Sequence, residues 1–248
     1  MKQKFGALSR KASAGILLAL LSWPAAPHDF ITAETAEKYL AQAARDSRSL
    51  KSSIPAPDKA ESAYQLGRML DEIREFLNRD IAAHGSVQGL ASNRLAAELK
   101  ARGTPLAQDA KGRYLANLDY YRDALRYAPG GAREADALYR LVQGYFYDSF
   151  EDDPLKPKSQ SWAQLEEQIA LTERLLGRST QHVDQEEVSF ILLIHYVQAA
   201  RFAPEGAKRY GGKARTAIAA FQSRYADSLR AAAMPVMLEA LQSVRTQP

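Results

Sequence analysis

The chain of 248 residues contains no cysteine. Disulfides, thiolate nucleophiles and cysteine-based metal sites are therefore excluded, and an apolar core must hold the fold. Nucleophile and zinc-protease motifs are also missing, since the sequence has no Gly-x-Ser-x-Gly, no Ser-x-x-Lys and no His-Glu-x-x-His. Alternating strand patterns are absent as well. These absences leave a non-enzymatic helical protein without a cofactor or a metal as the first expectation.

A surplus of positive charge is missing from most of the chain. The whole sequence has 33 Lys and Arg against 29 Asp and Glu, and residues 1–26 hold four of the basic residues and none of the acidic ones. The remainder is formally neutral. Nucleic-acid-binding domains carry excess positive charge on their folded surface, so we expect no nucleic-acid partner.

Residues 1–26 have the order of a secretion signal, which is a charged start, a short apolar run and a small-residue exit. The apolar run, residues 12–21, is too short to span a bilayer, which needs about 20 residues. We expect export to the periplasm or beyond, with no stable transmembrane span after cleavage. The alternative is an uncleaved anchor or a buried N-terminal helix.

Helical periodicity dominates the rest of the sequence and predicts an all-α array of eight or nine antiparallel helices. We predict four segments: a signal peptide (1–26), an N-terminal helix with a Pro-containing linker (27–57), a helical region (58–110) and a larger helical domain (111–248). Thr32 is the expected cap of the first helix, and residues 190–197 are apolar nearly all round, which indicates the most buried helix. Capping boxes are predicted at Asp58 with Glu61 and at Ser161 with Gln164. Further helices are expected at 86–103, 111–128, 132–150 and 213–225, and a last one from Asp227 to Val244, kinked at Pro235.

One internal similarity has an offset of 75 residues. The segment 121–133 (YRDALRYAPGGAR) resembles the segment 196–208 (YVQAARFAPEGAK). We expect each copy to end one helix and turn into the next, with Ala128 and Ala203 allowing close helix approach.

The same residues resemble tetratricopeptide repeats, especially those of bacterial envelope proteins such as the TolA-binding protein and the outer-membrane assembly lipoproteins. Two stretches carry the resemblance, residues 127–145 and 217–228. The sequence departs from the family at Val142, where Gly is usual, and residues 28–110 match it only through Leu66-Gly67-x-x-Leu70. The resemblance implies stacked helical hairpins in the C-terminal half. It also implies a non-enzymatic scaffold that binds a protein or peptide partner in the cell envelope.

The alternative function is a helical envelope enzyme that acts on cell-wall glycan. Glu61-Ser62 resembles the Glu-Ser pair of lytic transglycosylases, which use one acid. The flanking Gly-rich segment of that family is absent, and a capping role explains Glu61 without catalysis.

Surface residues give three further candidates. Tyr147 lies opposite the expected core stripe of its helix and suits a partner contact. Four basic residues around Gly211 and Gly212 form an expected turn that could meet an acidic partner or an anionic glycan, although such a turn is usually only solvated: Lys208, Arg209, Lys213 and Arg215. His182 and Glu186 have metal-ligand spacing but no third ligand, so an acidic helix start is the preferred interpretation, and His195 is expected in the core.

Overall fold

The computed structural model describes residues 32–87, 90–102, 106–148, 155–156, 161–178 and 183–243. The predicted signal peptide, His28 and His182 lie outside these residues. Within the described part, nine α-helices and one 3₁₀ helix account for the regular structure, and the only β pairing there is an isolated bridge between Gln108 and Tyr114. The all-α prediction is confirmed. The helices are α1 (Ala33–Leu50), α2 (Ala56–His84), α3 (Leu90–Ala101), α4 (Asp119–Tyr127), α5 (Glu134–Asp148), α6 (Trp162–Leu176), α7 (Gln185–Phe202), α8 (Gly206–Arg224), the 3₁₀ helix (Leu229–Ala233) and α9 (Met234–Gln242).

Two predicted helix caps are confirmed and one is wrong. The Thr32 hydroxyl accepts the backbone N–H of Thr35, and Ser161 and Gln164 form both bonds of a capping box at the start of α6. The predicted box at Asp58 and Glu61 does not form, because α2 begins three residues earlier than predicted, at Ala56, with Pro55 instead of Asp58 as its N-cap residue. Pro57 then occupies the first turn, where its missing N–H leaves no helical bond unmade.

Three helix boundaries also differ from the prediction. The helix predicted over 111–128 begins only at Asp119, and residues 106–118 are irregular. Gly112 has a φ of +77°, and the Asn78 side chain exchanges two 2.8 Å hydrogen bonds with the backbone of Tyr114. Helix α8 begins at Gly206, so the segment around Gly211 and Gly212 is a helix and not a turn. Pro235 lies in the first turn of α9, after the 3₁₀ helix, and therefore starts a helix instead of kinking one.

The chain divides into two compact units, one ending at Gly144 and the other beginning at Tyr145. In the first unit, α1 and α2 form a long helical hairpin against which α3 and α4 pack. Its core contains Leu66, Leu70, Ile73 and Leu77 from α2, all at most 1% exposed. The four-segment division predicted above concerns stretches of sequence rather than these units and stays a prediction.

In the second unit, α7 is buried along most of its length and packs against α6 and α8. All residues from Phe190 to Ala200 are buried, which confirms the prediction for this helix. Arg201, at its C-terminal end, is only partly buried. Among the described helices, none combines the length and the apolar character that crossing a bilayer would require.

The two copies of the internal repeat form the same turn. Gly131 donates its N–H to the Ala128 carbonyl at 3.0 Å, and Gly206 donates to Ala203 at 2.9 Å. The residue after each proline has a positive φ, +75° at Gly130 and +51° at Glu205, as a proline-led turn of type II requires. The prediction that each copy ends one helix and turns into the next is confirmed.

The alanines expected between helices are placed differently from the prediction. Ala128 and Ala203 are half-buried C-cap residues of α4 and α7, and their methyl groups face the glycine three residues later. The buried alanines are those one turn earlier, Ala124 and Ala199. The resemblance to tetratricopeptide repeats stays a prediction.

Candidate functional site: the groove between α1 and α2

A groove of about 460 Å³ lies between the two helices of the N-terminal hairpin. Its size is within the range of small-molecule and short-peptide sites. Five of its residues belong to α1 and five to α2: Lys38, Tyr39, Gln42, Arg45, Asp46, Glu61, Ser62, Gln65, Arg68 and Met69. Nearly all of these side chains are polar or charged, although they lie beside the packed contact between α1 and α2.

On the α1 wall, one amide links a cation to a carboxylate. Gln42 donates its amide N–H groups to both oxygens of Asp46 at 3.1 and 3.2 Å. Its carbonyl oxygen accepts the Arg45 Nε–H at 3.0 Å and a second Arg45 N–H. The spacings of three and four residues place these side chains on one face of the helix.

The α2 wall repeats this arrangement. Gln65 donates to the Glu61 carboxylate at 2.8 Å and accepts from Arg68 Nε at 3.2 Å. Arg68 also pairs with Glu72 at 3.1 Å, and its guanidinium lies 5.8 Å from the centre of the Tyr39 ring on the opposite wall. Both walls are therefore held in place by internal hydrogen bonds.

Arg133 comes from the residues just before α5 and joins the groove at Glu61. Its Nε and Nη2 donate to the two Glu61 oxygens at 2.6 and 3.0 Å, and Nη1 reaches Asp136 at 3.3 Å. The Arg133 guanidinium also lies 5.0 Å from the centre of the Tyr64 ring. This bidentate pair fixes the orientation of the Glu61 carboxylate and stabilises its negative charge.

The two carboxyl groups of the groove titrate in opposite directions from their usual ranges. The hydrogen bonds from Arg133 lower the pKa of Glu61, and burial raises the pKa of Asp46. The pKa of Asp46 rises further because Glu61 carries a like charge nearby, whereas the Gln42 bonds and the Arg45 charge oppose the rise. Glu61 is therefore ionised and ion-paired at neutral pH, which is the wrong state for the single general acid that a Glu-Ser pair would supply.

The four basic residues predicted to meet a partner lie on α8, and the structure gives three of them internal partners. Arg209 pairs with Glu166 of α6 at 2.9 Å, and Lys213 pairs with Glu173 at 2.9 Å. Arg215 donates to the Gly211 carbonyl one turn earlier at 3.3 Å. Lys208 is exposed. The four side chains therefore lie on the surface of a helix and not in a cationic loop, and two of them form ion pairs with α6.

Lys213 also belongs to a cluster of aromatic rings. Its ammonium lies 5.4 Å from the centre of the Tyr196 ring and 5.8 Å from that of Tyr210. Tyr196 donates its hydroxyl to the same Glu173 oxygen at 2.5 Å, and Trp162 packs edge-on against Tyr210. These contacts tie α6, α7 and α8 together, so the cluster has a packing role.

The tyrosines between residues 114 and 147 differ in burial and in their contacts. Tyr121 is fully buried and donates its hydroxyl to Asp71 at 2.6 Å, while Tyr114 packs against the core of the first unit from the irregular segment. The side chain of Tyr147 lies outside the described residues, so its role in partner binding stays a prediction.

No metal centre is evident in the part of the chain that the structure describes, where no three His, Asp or Glu side chains converge. Glu186, the predicted partner of His182, accepts hydrogen bonds from Ser228 at 2.6 Å and from Arg230 at 2.8 Å. Asp184 caps α7 by accepting the Glu187 N–H at 3.0 Å. Helix α7 therefore begins with the acidic residues that are expected there from the sequence.

Sequence reasoning noted Glu61 and Ser62 only for their resemblance to a catalytic Glu-Ser pair, and it predicted neither the groove nor its other residues. Arg133 is 72 residues from Glu61 in the chain, and no local spacing indicates that contact. The amide links were open to prediction, since Gln42 with Asp46 and Gln65 with Glu61 have the spacing of neighbours on a helix face. No protein-family model, curated protein or solved structure matches this chain.

Proposed function

We propose that the protein is a non-enzymatic, exported scaffold of the cell envelope that holds a protein or peptide partner in the groove between α1 and α2. The observation that carries the proposal is the pair of hydrogen-bonded walls, Arg45–Gln42–Asp46 on α1 and Glu61–Gln65–Arg68 on α2. Walls fixed before binding reduce the ordering cost of association. The charge order of residues 1–26 supports export, and the repeated turn supports the scaffold class.

The test fills the groove and leaves the rest of the surface unchanged. Ser62 is a half-buried groove residue of α2, so Ser62→Trp places an indole ring in the cavity. Ala41 is an exposed residue of α1 outside the groove, and Ala41→Trp adds the same ring there. We expect envelope extract of the source organism to yield a partner that crosslinks to a photoreactive residue at position 58, an exposed position of α2 one turn before Ser62, in the otherwise unchanged protein. Ala41→Trp should keep this crosslink and Ser62→Trp should lose it, and equal crosslinking in both variants would contradict the proposal.

A second candidate is hydrolysis of cell-wall glycan, and one observation favours it. Asp46 and Glu61 line the same groove with pKa values moved apart, which is the pattern of an acid and base pair in glycoside hydrolysis. Asp46 would act as the acid and Glu61 as the ionised partner. The scaffold proposal expects the wild type to release no soluble fragments from purified peptidoglycan. Release that Asp46→Asn and Glu61→Gln abolish, with far-UV circular dichroism unchanged, would establish the enzyme.

A further inference from the structure

The lining of the groove changes in charge from one end to the other. The register of its walls follows from the contact of Arg68 with the Tyr39 ring across the groove and from the course of the chain, which leaves α1 and enters α2 through residues 51–55. The end near the loop between the helices is therefore lined by Arg45, Asp46, Glu61 and Ser62. The other end is lined by Lys38, Tyr39, Arg68 and Met69, with Gln42 and Gln65 between the two ends.

Asp46 is the carboxylate of the loop end that lacks a cationic hydrogen-bond partner within the described residues. Glu61 is already neutralised by the bidentate contact of Arg133. The Asp46 oxygens accept hydrogen bonds from the neutral amide of Gln42. The neighbouring Arg45 donates its hydrogen bonds to the Gln42 oxygen and not to Asp46. A partly buried carboxylate in this position gains from an added cation.

The opposite end presents two cations whose acidic partners lie outside the groove lining. Lys38 pairs with Glu34 at 2.7 Å, and both side chains are more than 70% exposed. Arg68 pairs with Glu72 at 3.1 Å, also partly exposed. Exposed pairs of this kind are individually weak, so a ligand carboxylate can replace either acidic partner.

We propose that the groove, as the binding site of the proposed function, takes a short extended peptide segment with opposite charges near its two ends. Its basic side chain pairs with Asp46, its acidic group pairs with Lys38 and Arg68, and its main-chain amides face Gln42 and Gln65. Lys38 and Asp46 are eight positions apart on α1, which corresponds to about 12 Å at about 1.5 Å per residue. An extended peptide covers that distance in about four residues at about 3.3 Å each.

Other ligand chemistries fit the lining less well. A polyanion such as nucleic acid would place negative charge against Asp46, whose carboxylate has no cationic hydrogen-bond partner within the described residues. An amphipathic helix needs a continuous apolar groove, whereas Tyr39 and Met69 are the apolar members of this lining.

The experiment measures fluorescence anisotropy of labelled peptides with the purified full chain. The probes are Gly-Ser-Lys-Ala-Gln-Ala-Glu-Ser-Gly and the peptide with its Lys and Glu exchanged, because main-chain direction decides which order fits. The Lys and the Glu are four positions apart, so both side chains lie on one face of the extended peptide, about 13 Å apart. We expect one order to bind more tightly. Replacing its Lys with norleucine should weaken binding about fivefold in the wild type and have no effect in Asp46→Asn. Replacing its Glu with Gln should weaken binding about fivefold in the wild type and have little effect in Arg68→Gln.

Lys100→Gln, which removes an exposed cation on α3, is the matched control and should behave as the wild type. Equal binding of both orders, or the same peptide losses in Asp46→Asn and Arg68→Gln as in the wild type, would overturn the charge-ordered peptide. So would binding of a neutral chitooligosaccharide in place of both peptides. If partner crosslinking remains sensitive to Ser62→Trp while these couplings are absent, the inference fails and the proposed function stands. If crosslinking is insensitive to Ser62→Trp, the proposed function fails as well.

Discussion

Asp71 and His195 are both buried polar residues, but they differ in hydrogen bonding. Asp71 is 8% exposed and accepts the hydroxyl hydrogen bond of Tyr121, whose ring lies where a side chain on Gly67 would have to be. His195 is 2% exposed, and its Nδ1 has no hydrogen-bond partner within the described residues. The sequence predicts that His195 is a core residue, and this is confirmed. The Asp71 contact, 50 residues away in the chain, follows from no local spacing.

His195 should make stability fall in mild acid. Burial lowers its pKa from 6.5 to about 3, so between these values the unfolded chain binds a proton that the folded chain does not. The free energy of unfolding therefore decreases as the pH falls below 6.5, by up to about 1.4 kcal/mol per pH unit from this group. We expect His195→Leu to remove this component, measured by urea unfolding at pH 7, 6, 5 and 4.5.

The control for that prediction is His84→Gln. His84 is half exposed at the end of α2 and lies 2.9 Å from Asp80. Its replacement should leave the steep part of the acid dependence in place. A wild-type slope equal to that of His195→Leu over pH 6.5–4.5 would contradict the assignment.

At the scale of single elements, the successful predictions rest on local signals, although one local signal, the box at Asp58 and Glu61, was misleading. The apolar run of α7 and the caps Thr32 and Ser161 are contained in a few consecutive residues, and all were predicted. The irregular segment 106–118 was missed because its conformation depends on Asn78, which is 36 residues from Tyr114. Of the groove, Glu61 and Ser62 were noted only for their resemblance to a catalytic pair, and their setting depends on packing two helices and a distant arginine together. Contacts of that kind require the fold.

The repeated turn supports a prediction about two glycines of α8. A Cβ added to Gly206 would lie 1.9 Å from the Ala199 carbonyl oxygen, so Gly206→Ala must displace the backbone where α7 ends. We expect it to lower the free energy of unfolding by roughly 2–3 kcal/mol. Gly212, six residues later, has open space at the corresponding position. Gly212→Ala should raise stability by about 1 kcal/mol through helix propensity.

Thermal unfolding followed by far-UV circular dichroism measures both changes. Because the two stability changes are expected to have opposite signs, they distinguish the need for glycine in the turn from a general effect of replacing glycine in α8. Equal effects of the two substitutions would show that the close approach of Gly206 to α7 does not constrain the turn.

At the scale of the whole molecule, charge is distributed unevenly along the chain. The sequence isoelectric point of about 9.2 depends on the four basic residues of the first 26, since the remaining residues carry 29 basic and 29 acidic side chains. Within the folded part, many of these charges pair with one another, as in Arg133 with Glu61 and Arg209 with Glu166. The positive balance of the chain is therefore assigned to the proposed signal and not to a binding surface.

Export predicts a change in both mass and charge of the native protein. If residues 1–26 direct secretion and are removed, protein from the source organism should begin between Ala25 and His28 and focus near neutral pH. Mass spectrometry of the intact protein and isoelectric focusing measure these two properties. Replacing Leu17 and Leu18 with arginine breaks the apolar run that a signal requires, so this variant should keep Met1 and remain in the cytoplasm, whereas Lys2→Arg should be processed as the wild type. An intact N-terminus in wild-type protein, with its basic isoelectric point retained, would contradict cleavage, and recovery of that intact protein from the cytoplasm would also contradict the envelope location of the proposed scaffold.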